Sequence, residues 1–280
     1  MRIAIAGGSG FIGRHLAAAL TGRGDGVVQI SLRDPVEAAQ KAAPCDAIVN
    51  LAGEPIAQRW NAEVKRRIME SRSALPARFL SELRSRGCAA RTFVSASAIG
   101  YYGTSETGTF TEENGPGTDF LAGACVAWEQ SAQYASTMGM RVAIVRTGIA
   151  LGSDGGALAM LLPIFKSGAG GRVGSGKQWF SWVHIDDVVA LYLLAIDRLE
   201  GAINATAPEP VRNRDFTQML AHALHRPAAL PVPAFVVKAA LGEGAVTVLE
   251  GQRVLPERAL RQGYTFRFTQ LEPALQDLLS

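Results

Sequence analysis

Four glycines crowd into residues 7–13, inside the stretch AIAGGSGFIGRHL, and they constrain this chain more than any other feature. A short apolar run, residues 2–6, precedes them, and a helical apolar pattern follows from Phe11 to about Leu20. Gly7, Gly10 and Gly13 fit G-x-x-G-x-x-G, while Gly8, Gly10 and Gly13 fit G-x-G-x-x-G. Glycine serves three ends in such a turn: a sharp reversal, close approach of backbone to a pyrophosphate, and tight packing of helix on sheet. The anion then rests on the positive end of the helix. At the start of a βαβ unit the motif predicts a dinucleotide site built from Gly7, Ser9, Gly10, Phe11, Ile12 and Gly13.

The rest of the chain continues that alternation. Apolar runs at 27–32, 46–51, 91–97 and 141–146 read as strands, with helical patterns between them and a long amphipathic stretch over 61–86. The strands are continuously apolar, which suits a parallel sheet covered on both faces. The predicted fold is α/β: a Rossmann-type doubly wound parallel sheet with a small, partly interleaved C-terminal substrate lobe. The dinucleotide-binding domain is expected over residues 1–150 and the lobe over 151–280, with 178–207 packing back on the first domain. Residues 148–177 are glycine-rich and predict loops and a mobile segment. Residues 185–198 read as a helix capped by acidic residues at its start.

Hydrophobic residues make up 48% of the 280 positions and charged ones 19%, enough apolar matter for a large core and too little charge for a disordered chain. The net charge of +3 comes from 23 arginines and 5 lysines against 25 acidic residues, with no basic run to mark a nucleic-acid partner. Three scattered cysteines, Cys45, Cys88 and Cys125, make neither a disulfide framework nor a CxxC zinc site. The four histidines, at 15, 184, 222 and 225, form no metal-ligand set. The opening MRIAIAGG reads as a strand rather than a signal peptide, and the apolar stretch 227–249 is broken by Pro231, Pro233, Lys238 and Glu243. A reduced, cytoplasmic protein is expected, without membrane or nucleic-acid partners and with no metal. Its partner is a small-molecule substrate, and a homo-oligomer stays open.

The second strand ends Ser31-Leu32-Arg33. NAD sites favour an acidic residue there to bind the ribose hydroxyls. A hydroxyl and a guanidinium suit a 2′-phosphate instead, because arginine grips phosphate through two parallel hydrogen bonds. NADP(H) is therefore expected over NAD(H), read by Ser31 and Arg33, although Asp34 next to them argues the other way. The stretch GRVGSGKQ, 171–178, nearly matches a phosphate-binding P-loop, but Gln178 stands where a magnesium-binding hydroxyl should be.

GGSGFIG (7–13), NLAGEPI (50–56), SASAIGYYG (95–103), DFLAGACVAWE (119–129), RTGIALG (146–152), SWVHIDD (181–187), NATAPEPV (204–211) and GQRVLP (251–256) together span nearly the whole chain. They resemble the atypical, extended-like short-chain dehydrogenase/reductases, a nucleotide-sugar-epimerase-like family of unestablished substrate. The resemblance implies that Leu51, Ala52 and Gly53 line the cofactor, with Ser95 close by. It also implies that Arg72 contacts the cofactor in place of the asparagine of ordinary members, and that Ile149 flanks the nicotinamide. Only about a dozen residues separate Arg33 from Asp46, so the usual third strand is expected to be short or missing.

Ordinary members use a serine with Tyr-x-x-x-Lys; the tyrosine moves the substrate proton, and the lysine lowers its pKa and holds the ribose. Ser97 matches the serine. Counting back from Glu129 puts Leu121 at the tyrosine position and Cys125 at the lysine position, and Tyr-x-x-x-Lys occurs nowhere in the chain. Ser97 with Tyr101 or Tyr102, in the glycine-flanked segment after the fourth strand, is the expected proton pathway. Trp182, His184 and Asp186 are expected to border the substrate cleft, although Asp186 also suits a helix cap. Two functions follow. One is an NADP(H)-dependent reductase or epimerase acting on a hydroxyl or carbonyl carbon, a nucleotide sugar among the candidates. The other is a non-catalytic NADP(H)-binding sensor or regulatory module.

Overall fold

The structure, a computed structural model, describes residues 1–228 and 230–280. Each predicted apolar run forms a strand. β1 (Arg2–Ala6) leads through the glycine turn into α1 (Phe11–Gly22), and β2 (Gly26–Ile30) leads into α2 (Pro35–Ala42). β2 stops two residues short of the expected Leu32. The Asp34 amide closes a turn on the Ser31 carbonyl at 3.2 Å, and the Asp34 carboxylate caps α2 by accepting from the Glu37 amide at 3.0 Å. β3 (Ala47–Asn50) follows, then α3 (Ala62–Arg72), α4 (Ala74–Arg86) and β4 (Thr92–Ala98). The amphipathic stretch over 61–86 is thus two helices rather than one. Pro76 has no amide to donate back to Arg72, and the Arg72 carbonyl accepts from the Ser131 hydroxyl at 3.0 Å instead.

Beyond β4 come the short β5 (Thr109–Phe110), α5 (Phe120–Gln133), β6 (Arg141–Thr147) and β7 (Ile149–Gly152). The glycine-rich segment expected to be loops carries β7 and an 11-residue helix, α6 (Gly156–Lys166). Its glycines make room for a neighbour: Cβ atoms on Gly152, Gly155 and Gly156 would meet the Phe11 ring at 2.5, 2.3 and 2.8 Å. β8 (Trp179–Phe180), β9 (Trp182–His184), α7 (Ile185–Asp197) and β10 (Gly201–Ala205) follow. The cap of α7 is His184, whose Nδ1 accepts from the Asp186 amide at 3.1 Å, rather than an acidic residue. The chain closes with β11 (Val211–Arg212), α8 (Asn213–Ala223), α9 (Ala234–Leu241), α10 (Val246–Leu249), β12 (Arg253–Val254), α11 (Glu257–Arg261) and α12 (Leu271–Leu279).

Six strands form one sheet in the order β10-β6-β4-β3-β1-β2, every adjoining pair parallel. Successive residues of a strand point to opposite faces, and both faces are apolar here. Ile3 and Ile5 of β1 pack with Leu16 and Leu20 of α1 and Tyr192 of α7. Ala4 and Ala6 pack on the other side with Ala38 of α2 and Phe79 of α4. This is the doubly wound sheet that the alternation predicts. β2 is an edge strand, so the missing third strand leaves the chain beyond β2 open. At the opposite edge, β10 pairs with β6 from Gly201↔Ala143 to Ala205↔Thr147, which returns the chain to the main sheet after β8 and β9. Among the described residues no helix is long and apolar enough to cross a membrane.

Candidate active site

A cleft of about 940 Å³ runs past the carboxyl ends of β1, β2 and β3. Gly7, Ser9 and Gly10 line it from the turn after β1, Ser31 and Arg33 from beyond β2, and Leu51, Ala52 and Gly53 from beyond β3. Gly7 takes φ +77°, and a Cβ on it would stand 2.8 Å from the Leu51 carbonyl carbon, so a side chain would part the two loops. A Cβ on Gly13 would lie 2.3 Å from the Gly7 carbonyl oxygen; α1 approaches the turn this closely only without one. Gly10 caps α1 without a side-chain acceptor. The amides of Phe11, Ile12 and Gly13 therefore keep their partial positive charge for an external anion. These three residues form that helix end and do not themselves line the cleft.

Arg33 and Ser31 are exposed on the wall, while Asp34 is occupied as the cap of α2. Asp34 itself does not line the cleft. Cradle, helix end and an exposed guanidinium together fit a pyrophosphate-linked dinucleotide bearing a further phosphate. The sequence reading missed Gln29, Lys41, Arg67 and Ser71, which also line the cleft. Gln29 had a signal in Gly8 opposite it, where a Cβ would come within 1.8 Å of its Oε1. Lys41 and Arg67 arrive from α2 and α3 and are matched by Glu37 at 2.7 Å and Glu54 at 3.2 Å.

A second, smaller cavity of about 170 Å³ lies beside the first. Arg72 stands between the two: it lines the small cavity, and its Nη2 is 3.2 Å from where a Cβ of Gly53 would be. Its guanidinium donates to the Glu54 carbonyl at 3.1 Å and lies 4.7 Å from the Trp128 ring centroid. Burial lowers its pKa from the usual arginine value. Ile149 lines the same cavity, as do Leu121 and Cys125. The positions that carry tyrosine and lysine in ordinary short-chain dehydrogenases thus still face this space, but with a methyl-capped chain and a thiol. Burial pushes the Cys125 thiol up to about 11 despite the Arg72 charge nearby, so it is protonated near neutral pH.

Ser97, Tyr101 and Tyr102 do not line this cavity. The Ser97 hydroxyl donates to Glu129 Oε1 at 2.7 Å, and Arg146 grips both Glu129 oxygens at 2.8 Å. Arg146 also donates to the Tyr102 hydroxyl at 3.0 Å, which in turn donates to Asn204 Oδ1 at 2.7 Å. The Arg146 guanidinium carbon sits 3.4 Å from the Tyr101 ring centroid. The structure thus brings Ser97 and both tyrosines around one buried ion pair on β6 and α5. Burial opposes the charge on Arg146, yet Glu129 more than compensates and its pKa is raised. Burial likewise raises the Tyr102 pKa. Glu129 served above only to set the register of α5, and its pairing with Arg146 was not legible, because nothing in the sequence marks a helix residue and a strand residue as neighbours. Ser95 is fully buried on β4, donating to the Ala96 carbonyl at 3.0 Å, and lines neither space.

Trp182, His184 and Asp186 do not line this cavity. Trp182 is fully buried and donates to the Glu209 carbonyl at 3.0 Å. His184 and Asp186 stand at the start of α7, where Arg267 bonds Asp186 and reaches Asp277 of α12 at 3.2 Å. His184, Asp186 and Asp277 have ligand atoms within 4.8 Å of one another, but Arg267 is already ion-paired to both carboxylates.

Two family profiles match the chain: the NAD dependent epimerase/dehydratase family over residues 3–206, and a domain of unknown function over 232–278. A chloroplastic epimerase family protein of Arabidopsis thaliana, a homolog of SDR39U1, is 42% identical over 304 residues, which covers 100% of this chain and 87% of that protein. The crystal structure of the human epimerase family protein SDR39U1 with NADPH matches with a TM-score of 0.92 at 34% identity, covering 99% of each chain. A nucleoside-diphosphate sugar epimerase from Corynebacterium glutamicum matches with a TM-score of 0.81 at 36% identity, over 100% of this chain and 58% of that one.

Proposed function

Because the chain belongs to the NAD dependent epimerase/dehydratase family, we propose that it binds NADP(H) in the large cleft and acts as a reductase or epimerase on a hydroxyl or carbonyl carbon presented in the small cavity. One observation carries the cofactor choice: Ser31 and Arg33 line the cleft beyond β2, while Asp34 caps α2 and does not line it. The similar human protein crystallised with NADPH supports it. The turn at Gly7 and Gly10 and the end of α1 would hold the pyrophosphate, and Arg33 the 2′-phosphate. A nicotinamide cofactor supplies or accepts a hydride at a substrate carbon.

The chain's own residues would do the rest. Arg72 brings a permanent charge to the junction of cleft and cavity, where α5 offers only Cys125. Ile149, Leu121 and the other apolar wall residues exclude water. Ser97, hydrogen-bonded to Glu129, would hold the proton behind the Cys125 thiol, while Arg146, which does not release a proton, would only fix Glu129 and Tyr102 in place. A second reading rests on Leu121 and Cys125: with neither a phenol nor an ammonium at these positions, the same cleft would bind NADP(H) as a sensed ligand without turnover.

Titration with NADPH and NADH tests the cofactor reading. NADPH is expected to bind tighter by roughly tenfold or more, about 1.4 kcal/mol, and Arg33→Ala should remove most of that preference. Tighter binding of NADH by the unaltered protein would defeat the reading.

A further inference from the structure

The small cavity carries three charged side chains on its wall: Arg72, Asp119 and Glu250. Arg72 is turned toward Gly53 and the cofactor cleft and is bonded to the Glu54 and Ile68 carbonyls. Asp119 caps α5 by accepting from the Ala122 amide at 2.9 Å. Glu250 sits exposed at the rim, accepting from the Thr104 hydroxyl at 2.6 Å. Among the described residues the charged lining is thus two carboxylates and one arginine, and that arginine is engaged on the side of Gly53. Two other arginines are near, but neither lines the cavity. Arg212 and Arg253 lie over the Trp179 ring, at 3.7 and 5.4 Å from its centroid, and bond the Lys177 carbonyl and the Thr109 hydroxyl.

Ser181 and the Gln252 side-chain nitrogen in the wall are already engaged within the protein. The Ser181 hydroxyl donates to the Gln252 carbonyl at 2.7 Å and accepts from the Val254 amide at 3.0 Å. The Gln252 side chain donates to the Ile99 carbonyl at 2.8 Å. Ile56, Ile99, Leu121, Ile149 and Val246 supply an apolar lining. The volume, about 170 Å³, falls below the roughly 300–1,000 Å³ usual for ligand pockets. A diphosphate at the rim would meet the Glu250 carboxylate instead of a cation, and one carried further in would lose its hydration against the apolar lining without a pairing charge.

Building on the cofactor reading above, we propose that this cavity takes a small uncharged carbonyl compound or alcohol with an apolar body, and not a nucleoside diphosphate sugar. Glu250 and the lack of a rim cation are the specificity determinants.

The test uses the full chain loaded with NADPH and three probes: acetophenone, its carboxylated analogue 4-acetylbenzoate, and UDP-glucose. Binding is read from the fluorescence of bound NADPH and from the shift in Tm. Acetophenone is expected to bind at least roughly tenfold tighter than either anion, and Glu250→Gln should narrow the gap between acetophenone and 4-acetylbenzoate severalfold. A merely structural role for Glu250 would weaken both probes together and leave their ratio unchanged. The inference is overturned if UDP-glucose or 4-acetylbenzoate binds as tightly as acetophenone. It is overturned equally if acetophenone fails to bind while NADPH binds, with the cofactor reading intact. Failure of NADPH itself to bind removes the cofactor reading and this inference with it.

Discussion

Glu129 and Arg146 set opposite charges inside the protein, Arg146 only 5% exposed and Glu129 9%. Each depends on the other, because a buried charge without its partner keeps its desolvation cost and loses its compensation. Glu129→Ala should therefore destabilise the protein by about 3–5 kcal/mol in urea unfolding; a loss below about 1 kcal/mol would show that the pair is not desolvated. The pair also anchors Ser97, Tyr101 and Tyr102, which sit close together along the chain and all turn to it, and none of them lines the cavity. At this scale the sequence was informative wherever one residue type answers one local need. Arg33 and the glycines of the turn were legible because each answers to its own backbone neighbourhood. Arg146 was not, because its meaning comes from Glu129 on another element.

Helix α1 shows what an element adds. Its two glycines do different jobs. Gly13 faces the turn, where a Cβ would strike the Gly7 carbonyl oxygen at 2.3 Å, whereas a Cβ on Gly22 at the far end meets nothing within 4 Å. Gly13→Ala is expected to cost about 1–3 kcal/mol through overpacking and to weaken NADPH binding by roughly tenfold or more as the helix end shifts from the anion. Gly22→Ala should leave binding unaltered and stabilise by up to about 1 kcal/mol. Thermal unfolding with and without NADPH separates them; equal behaviour of the two variants would show that the close packing at Gly13 does not matter. Other elements were misjudged for reasons of context. The glycines of 148–177 read as loop, yet three of them exist to seat the Phe11 ring under α6 and β7. The stretch 61–86 read as one helix because amphipathic periodicity runs on through Ser73, where only Pro76 and the Ser131 hydroxyl interrupt it.

Across the whole molecule, the last segment of the chain is fastened to the start of α7. Asp187 accepts from the Tyr264 hydroxyl at 2.7 Å and from the amides of Arg267 and Phe268 at 2.8 and 3.1 Å. His184, 2% exposed, stacks on Phe268 and faces Asp186, Asp277 and Arg267. Burial lowers its pKa below the ordinary 6.5, against the pull of Asp186 and Asp277. The unfolded chain therefore takes up a proton near pH 6.5 that the folded protein refuses, so stability should fall as the pH drops from about 6.5 toward the lower folded-state value. His184→Asn, which keeps an acceptor for the Asp186 amide, should flatten that part of the profile; an unaltered slope in unfolding measured from pH 7 to 5 would rule His184 out as its cause. The parallel α/β sheet, the glycine turn after β1 and the placing of Ser31 and Arg33 beyond β2 were written in the sequence, because strand periodicity and turn chemistry act between residues close along the chain. Only the tertiary structure decided that Leu121 and Cys125 face a cavity, that Ser97 turns to Glu129, and that Asp34 and His184 are caps. Those outcomes depend on which groups from distant elements compete for the same hydrogen bond or the same space, and no local pattern records the winner.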